Sequence, residues 1–248
     1  MTTLLETQGL TKRFEGVTAV DDVDLAVPAG SLKSIIGPNG AGKTTLFNLL
    51  SGGLDPTAGR VTLAGEDITG LPPERITRKG LARSFQITNI FTELSVLDNV
   101  RIAVQARERG GWNFLQHVES KEHYREAAAD LLGRVGLAEF QDTEAGTLSH
   151  GDKRALELAL VLALEPQVLL LDEPFAGMSQ FEIEELRDLL ENIRDDYTIV
   201  LVEHNIHVVM AVSDAVAVLE NGRIIADDAP EGIRGDSRVQ EAYLGESR

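Results

Sequence analysis

The stretch GPNGAGKTT, from Gly37 to Thr45, constrains the fold of this chain more than any other part of the sequence. It satisfies the pattern G-x-x-x-x-G-K-[ST], and it lies between the apolar run KSII and the helical run LFNLL. Its glycines let successive backbone N–H groups point into one concavity around a phosphate, Lys43 can reach the β and γ oxygens, and the Thr44 hydroxyl can bind Mg²⁺. A glycine-rich turn without a ligand would not require Lys and Thr at these offsets. The stretch therefore predicts a strand, a phosphate-binding loop and a helix of an α/β fold.

A second run, VLLLDEP from Val168 to Pro174, predicts a strand that ends in two adjacent carboxylates. Beside a phosphate loop, Asp172 would orient Mg²⁺ through its water shell, and Glu173 would lie near the γ-phosphate as a general base. The alternative is a polar pair that only caps a strand. A buried strand that ends in adjacent carboxylates also needs a cation to balance their charge.

Short β-rich runs alternate with helical runs along the chain, as expected for a sheet whose strands are joined by crossover helices. The runs SLKSIIG, QVLLLDEP, TIVLVEH and AVAVLENG are predicted strands, and Gly222 after Asn221 predicts a tight turn into a terminal hairpin. Between about Ser95 and Thr147 the strand signal disappears, and two helical runs take its place. The pattern predicts a single domain, with a nucleotide-binding core of residues 1–94 and 148–248 and an inserted helical subdomain of residues 95–147.

The charge of the chain limits its partners. Its net charge of −17 argues against general affinity for nucleic acid, because such binding depends on clustered Lys and Arg. We therefore expect no nucleic-acid partner. The acidic excess is compatible with adaptation to high salt and equally with ordinary solubility.

The composition also bears on size and location. A chain of 248 residues with 43% hydrophobic residues can bury a substantial core. The lack of Cys fits a reducing compartment, and the N-terminal run MTTLLETQGLTKR lacks the features of a signal peptide. Charged residues interrupt every apolar run before the roughly 18 residues that a membrane span requires. We therefore expect a cytoplasmic chain.

The run LSHGDKR combines two signals at the start of a predicted helix. Ser149 and Asp152 have the spacing of a capping box, in which both side chains satisfy free backbone N–H groups. The same helix start opens with Gly151 and carries a partial positive charge, so it is also suited to bind an anion. The two interpretations are compatible.

With these motifs placed, nearly the whole chain resembles the nucleotide-binding subunits of ATP-binding cassette transporters. GPNGAGKTT matches the phosphate loop of that family, SFQIT its Gln loop, LSHGD its signature sequence, LLLDEP its catalytic strand and VEHN its switch His. The resemblance implies the P-loop NTPase fold of the ABC ATPases. This fold has a mostly parallel core sheet, an N-terminal antiparallel β part and an inserted helical subdomain.

The resemblance also implies ATP and Mg²⁺ as cofactors, and it assigns roles to individual residues. The residues implied to bind ATP within one subunit are Phe14, Asn39, Gly40, Ala41, Gly42, Lys43, Thr44 and Thr45. The residues implied to act in catalysis are Glu173, His204 and Gln86, and those implied to hold the metal are Thr44, Gln86 and Asp172. Two subunits would pack head to tail, so that Ser149 and Gly151 of one contact the γ-phosphate held by the other. Gln86 could instead be a solvated loop residue, and His204 a satisfied histidine at a strand end.

Three departures from the family pattern leave roles open. His150 and Asp152 stand where the usual signature has Gly and Gln, and His150 can titrate near neutral pH. We expect Asp152 to point away from a polyphosphate, occupied with the helix cap. Ser179 stands where many members have Asp after the catalytic strand, which puts in doubt the inter-subunit contact credited to that Asp.

Three runs, LSHGDKR, DEPFAGMS and RVQEAYLGE, resemble the ATPases of branched-chain amino acid importers and of their relatives for urea and short amides. This subgroup implies transmembrane permease subunits, a second ATPase subunit of the same or a different chain, and an external solute-binding protein. The chain would lie peripherally on the inner face of the cell membrane. Two other functions stay open, a soluble cassette ATPase of DNA repair or translation, and a nucleotide switch that hardly turns over.

Overall fold

The computed structural model describes residues 2–84, 90–108 and 119–244. The chain divides into two compact units, which we treat separately. The first unit comprises Met1–Arg83, Gln167–Phe175 and Arg194–Arg248, and the second comprises Ser84–Pro166 and Ala176–Ile193. The predicted boundaries at residues 95 and 147 remain a prediction.

The first unit contains a mostly parallel sheet of six strands, in the order β10-β9-β3-β8-β7-β6. All neighbouring pairs are parallel except β10 and β9, which form the predicted terminal hairpin. Every residue of β3, β7 and β8 is buried, as expected for parallel strands that are covered on both faces. The strands are β3 (Leu32–Ile36), β6 (Leu81–Arg83), β7 (Val168–Asp172), β8 (Thr198–Val202), β9 (Ala215–Glu220) and β10 (Arg223–Asp228).

The same unit contains an antiparallel sheet of four strands, in the order β2-β1-β4-β5. Its strands are β1 (Thr3–Phe14), β2 (Val17–Pro28), β4 (Ala58–Leu63) and β5 (Glu66–Asp67). Buried and more exposed residues alternate along much of β2, which is the pattern of a sheet with one face in a core. The resemblance to the cassette family had implied this N-terminal antiparallel part.

The helices of the first unit complete two buried cores. Leu46, Phe47 and Leu50 of α1 pack in one core with strands of both sheets. A second core contains Val209 of α7 and Ile233 of α8, together with residues of β9 and β10. The helices are α1 (Lys43–Leu50), α2 (Pro73–Arg78), α7 (Ile206–Val212), α8 (Pro230–Gly235) and α9 (Ser237–Leu244).

The second unit is helical. Helices α3 and α4 pack against each other and against α5, and α5 also contacts α6. Apolar residues such as Val100, Leu132 and Leu156 are fully buried in these helices. The helices are α3 (Val96–Glu108), α4 (Glu119–Arg134), α5 (His150–Leu162) and α6 (Gln180–Ile193).

Two sequence predictions about local structure are confirmed. Asn221 and Gly222 have φ angles of +48° and +80°, as the tight turn between β9 and β10 requires. Helices α3 and α4 lie where the strand signal disappears.

Within the described ranges, no helix combines the length and the apolar composition that a membrane span needs.

Candidate active site

Three neighbouring strands bring the predicted catalytic motifs to one edge of the six-stranded sheet. β3, β8 and β7 lie side by side in that order and run parallel, so their carboxyl ends meet at the same edge. The phosphate loop follows β3, Asp172 is the last residue of β7 with Glu173 next to it, and His204 comes shortly after β8. In open α/β sheets this edge is where ligands bind.

The phosphate loop lies tightly against neighbouring backbone at two of its glycines. A Cβ atom added at Gly42, whose φ is +107°, would lie 2.2 Å from the carbonyl oxygen of Ala19. A Cβ atom added at Gly37 would lie 2.0 Å from the carbonyl oxygen of Leu219. Both distances are shorter than a van der Waals contact, so only glycine fits at either position.

Lys43 is the first residue of α1 and is buried. Its Nζ donates to the carbonyl oxygen of Gly37 at 2.6 Å and to that of Pro38 at 2.9 Å. The ammonium group is therefore bound to the loop itself. An ionised phosphate oxygen is a stronger acceptor than a carbonyl, so the same group can exchange a loop carbonyl for a phosphate.

The other predicted ATP-binding residues of this region lie in the loop and in the first turn of α1. Asn39 and Gly40 are exposed, Ala41 is buried, Thr44 is exposed and Thr45 is half-buried. The exposure of Thr44 makes its side chain accessible to a ligand. The structure thus gathers this stretch of predicted residues at the amino end of one helix.

The carboxylate of Glu173 and the imidazole of His204 are in direct contact. Oε1 of Glu173 lies 2.6 Å from Nε2 of His204. Glu173 has a φ of +49°, in the left-handed region that residues other than Gly rarely occupy, and its N–H donates to the carbonyl of Val202 at 2.9 Å. Strained backbone of this kind clusters at functional sites. The two residues therefore meet at one edge of the sheet.

Sequence patterns did not single out Glu203, a carboxylate that is only 3% exposed. Its Oε1 accepts from the N–H of Phe175 at 3.0 Å, and its Oε2 accepts from the N–H groups of His204 at 2.8 Å and Asn205 at 3.2 Å. The carboxylate therefore ties the turn after β7 to the turn after β8. The available signal was an acidic residue placed directly after the apolar run IVLV.

Sequence patterns also did not single out Arg83, the cation that pairs with Asp172. Arg83 is the last residue of β6, and its Nη2 donates to Oδ2 of Asp172 at 2.6 Å. The two side chains are 15% and 4% exposed, so the ion pair is largely screened from water. The available signal was a single Arg in the run GLARSFQ, which leads into the predicted Gln loop.

Two further predicted residues lie in β1 and in the Gln loop. Phe14 ends β1 and is 46% exposed, and Nζ of Lys12 lies 5.3 Å from the centroid of its ring. An exposed ring can stack on a nucleotide base. Gln86 lies outside the described residues, so its catalytic and metal-binding roles remain predictions.

In the second unit, the predicted cap at the start of α5 is confirmed in its main bond. Ser149 is the N-cap residue, and its Oγ accepts from the N–H of Asp152 at 3.1 Å. The Asp152 carboxylate differs from the prediction, because its Oδ2 accepts the Ser149 hydroxyl at 2.6 Å instead of a backbone N–H. Asp152 is nevertheless occupied at the helix start, as expected. Ser149 is exposed there, and Gly151 is half-buried.

A second capping box begins α6 and gives Ser179 a structural role. The N–H and the hydroxyl of Ser179 donate to Oε2 of Glu182 at 2.8 Å and 2.7 Å, in the pattern S-x-x-E. The bond from the hydroxyl, and then that from the N–H, holds the pKa of the Glu182 carboxyl below its ordinary value of 4.5. The N–H of Gly151 lowers this pKa further. Glu182 thus connects the start of α6 with the start of α5.

The described groups at the sheet edge suit the transfer of a phosphoryl group to water. Loop N–H groups and Lys43 can bind phosphate oxygens, and Thr44 and Asp172 offer the oxygen ligands that Mg²⁺ prefers. Glu173 can accept a proton from water.

Known proteins of similar sequence are described as ATP-binding proteins of transport systems. Residues 20–176 match the family model for ABC transporters, and residues 223–248 match a model described as branched-chain amino acid ATP-binding cassette transporter. The chain is 42% identical to the high-affinity branched-chain amino acid transport ATP-binding protein BraF of Pseudomonas aeruginosa. It is 39% identical to LivG of Escherichia coli K12, which has the same description. Each alignment covers 98% of both chains.

Solved structures of cassettes have the same fold. The chain matches a crystal structure of the ADP conformation of an ATP-binding cassette of an ABC transporter with a TM-score of 0.87 and 28% identity, over 99% of this chain and 100% of that one. It matches a dimeric, post-hydrolysis cassette bound to ADP and Pi with a TM-score of 0.75 and 25% identity, over 92% and 99% of the two chains. The predicted fold class is confirmed.

Proposed function

The chain belongs to the ABC transporter family, and on this premise we propose that it is the ATP-hydrolysing subunit of an importer for branched-chain amino acids. Family membership establishes nucleotide binding and ATPase activity. The individual site residues, the metal and the partners are parts of the proposal.

ATP binds at the carboxyl edge of the parallel sheet. The N–H groups of the phosphate loop and the ammonium group of Lys43 hold the phosphates, with the dipole of α1 aligned towards them. Phe14 stacks on the adenine. The exchange of the Gly37 and Pro38 carbonyls for phosphate oxygens would release Lys43 from its present partners.

Mg²⁺ fits the donors of this site. The Thr44 hydroxyl and the Asp172 carboxylate are hard oxygen ligands, and Mg²⁺ is usually held by one or two such groups together with phosphate oxygens. The predicted third ligand is Gln86. When bound, the ion neutralises charge that develops on the phosphate oxygens.

Hydrolysis requires a base and a fixed geometry. Glu173 accepts a proton from the attacking water, and His204 holds the Glu173 carboxylate through its contact at 2.6 Å. The strained backbone at Glu173 and the bond from its N–H to Val202 restrict the position of the carboxylate further.

A second subunit completes the site. Ser149 and Gly151 at the start of α5 donate to the γ-phosphate held by the partner, and the dipole of α5 adds to the attraction. ATP closes the pair, closure moves the membrane subunits, and hydrolysis reopens the pair, because the closed state binds ATP better than ADP and phosphate. The dimeric cassette with ADP and Pi supports this arrangement by analogy.

The transported solute and the remaining partners are inferred from relatives. BraF and LivG are described as branched-chain amino acid transport proteins, and the chain shares 42% and 39% identity with them over nearly its full length. We favour this solute class over urea and short amides for that reason. The subunit would lie at the inner face of the membrane against permease subunits that receive solute from an external binding protein.

One observation carries the ATPase part of the proposal. The contact between Glu173 and His204 occurs at the sheet edge that also presents the phosphate loop and Asp172. A proton acceptor, its orienting partner and a phosphate-binding loop therefore converge on one place.

The first experiment measures the molecular mass of the purified Glu173→Gln variant by light scattering, with and without Mg–ATP, at low and high salt. A rise from monomer to dimer with Mg–ATP is expected, because the variant binds ATP without hydrolysing it. The double variant Lys43→Ala, Glu173→Gln is the control and should stay monomeric. Steady-state hydrolysis by Glu173→Gln at the wild-type rate would contradict the proposal. A variant that binds ATP but never pairs would show that the other half is a different chain or needs the membrane subunits.

The solute is tested in the assembled transporter. Uptake of labelled leucine, isoleucine and valine should depend on Glu173, and excess urea or acetamide should not compete. Uptake of urea in place of leucine would leave the ATPase assignment intact and would refute the proposed solute class.

A further inference from the structure

The Arg83 side chain joins three elements of the first unit. Its Nη2 donates to Oδ2 of Asp172 at the end of β7, at 2.6 Å. Its Nη1 donates to Oδ1 of Asn48 at 2.6 Å and to Oγ of Ser51 at 3.2 Å, at the end of α1. A single guanidinium group from β6 therefore connects the proposed metal carboxylate with the helix that follows the phosphate loop.

The packing around Arg83 restricts the guanidinium to this position. The group lies over the ring of Phe47, with its central carbon 5.6 Å from the ring centroid, and Phe47 is fully buried. Such cation–π contacts are stronger when they are removed from water. Because the Asp172 side chain is only 4% exposed, its charge would be costly without the guanidinium.

We propose that Arg83 is a positioning residue for the metal site. Its planar guanidinium group orients the Asp172 carboxylate towards the Mg²⁺ of bound Mg–ATP. This inference rests on the proposed function, since it concerns the same site. By fixing one carboxylate oxygen, Arg83 sets the orientation of the whole carboxylate relative to α1 and the phosphate loop. Groups that hydrogen-bond to a metal-binding side chain orient it, and their loss commonly weakens metal binding by about 10–100-fold.

The geometry requires arginine and not only a positive charge. The planar guanidinium reaches Asp172 and Asn48 at the same time with two separate nitrogens. A lysine offers one compact ammonium group on a flexible stem and cannot span both acceptors in this way. Arg83→Lys should therefore retain charge balance and lose much of the orientation.

The test measures how binding of a fluorescent ATP analogue depends on Mg²⁺ in the full chain. The variants are Arg83→Met and Arg83→Lys. The control is Arg194→Met, which removes another Arg–Asp ion pair of the first unit, that of Arg194 with Asp214, whose two side chains are 24% and 42% exposed. Asp214 accepts from the N–H of Leu32 at the start of β3, at the opposite end of the sheet from Asp172.

With EDTA, all four proteins should bind the analogue equally. Mg²⁺ should raise the affinity for the analogue. The Mg²⁺ concentration that gives half of the wild-type increase in affinity should be about tenfold higher or more for Arg83→Met than for wild-type protein. Arg83→Lys should show a smaller shift in the same direction, and Arg194→Met none. A role confined to folding would instead change thermal stability and leave the Mg²⁺ requirement unchanged.

The outcomes separate this inference from the proposed function. If wild-type protein hydrolyses Mg–ATP and Arg83→Met has the wild-type Mg²⁺ requirement, the inference alone is overturned. If Arg83→Met does not fold, a wild-type Mg²⁺ requirement in Arg83→Lys overturns it. If wild-type protein neither binds nor hydrolyses Mg–ATP, the proposed function is wrong and the inference falls with it.

Discussion

Nε2 of His204 lies 2.6 Å from Oε1 of Glu173, and the two residues follow the ends of two neighbouring parallel strands. The His204 side chain is 45% exposed and that of Glu173 is 25% exposed, so a ligand can reach both groups. The contact restricts the carboxylate before any substrate arrives. In the proposed mechanism, such preorganisation lowers the barrier of the chemical step.

His204→Ala should reduce kcat for ATP by about 10²-fold or more, because the proposed base loses the group that orients it. The KM for ATP should change little, since the phosphate loop is untouched. Steady-state hydrolysis at several ATP concentrations measures both constants. His207→Ala is the control, because His207 is exposed on α7 and contributes only its backbone N–H to the bond with Asn205. Wild-type kcat in His204→Ala would refute the orienting role.

Gly42→Ala should abolish nucleotide binding and destabilise the fold. The added Cβ would lie 2.2 Å from the carbonyl oxygen of Ala19, and a φ of +107° adds strain of about 1–3 kcal/mol for a residue with a side chain. Urea unfolding and binding of a fluorescent ATP analogue measure the two effects. Gly133→Ala is the control, because a Cβ there meets nothing within 4 Å. Wild-type stability in Gly42→Ala would show that the loop can rearrange.

Substitutions of Ser149 should separate its capping role from its proposed contact with the partner's ATP. Ser149→Ala removes the acceptor for the N–H of Asp152 and should cost about 1 kcal/mol of unfolding free energy. Ser149→Asp keeps an acceptor for the N–H of Asp152, because Asp is an equally good N-cap residue, but it loses the hydroxyl bond to the Asp152 carboxylate. Its negative charge should repel the γ-phosphate and prevent ATP-dependent pairing in the Glu173→Gln background. Pairing by Ser149→Asp, measured by light scattering, would exclude the contact across the interface.

The capping box of α6 should make stability depend on pH. Bonds from Ser179 lower the pKa of Glu182 in the folded protein, so the charged carboxylate stabilises the fold above its ordinary pKa of 4.5. This contribution is lost as the pH falls through the lowered, folded-state pKa. Wild-type protein should therefore be more stable than Glu182→Gln near pH 7, and the difference should disappear in acid below the folded-state pKa. Urea unfolding of both proteins across this range checks the sign, and a difference that grows in acid would refute it.

Local motifs were the features that could be predicted from the sequence. The phosphate loop, the strand before Asp172, the hairpin turn at Gly222 and the cap at Ser149 depend on residues a few positions apart. Backbone conformation and capping bonds are set by such neighbours, so the residue pattern is sufficient to identify them. The alternation of strands and helices similarly indicated a mostly parallel sheet.

The sequence by itself thus determined the fold class, the motifs and most of the candidate site residues. Only the tertiary structure decided which of them meet. Arg83 pairs with Asp172 across 89 residues, and His204 pairs with Glu173 across 31. These contacts follow from the strand order β3-β8-β7-β6, which places the ends of distant strands side by side. Strand order is settled by the packing of the whole sheet, and no local pattern at Arg83 or His204 encodes its partner.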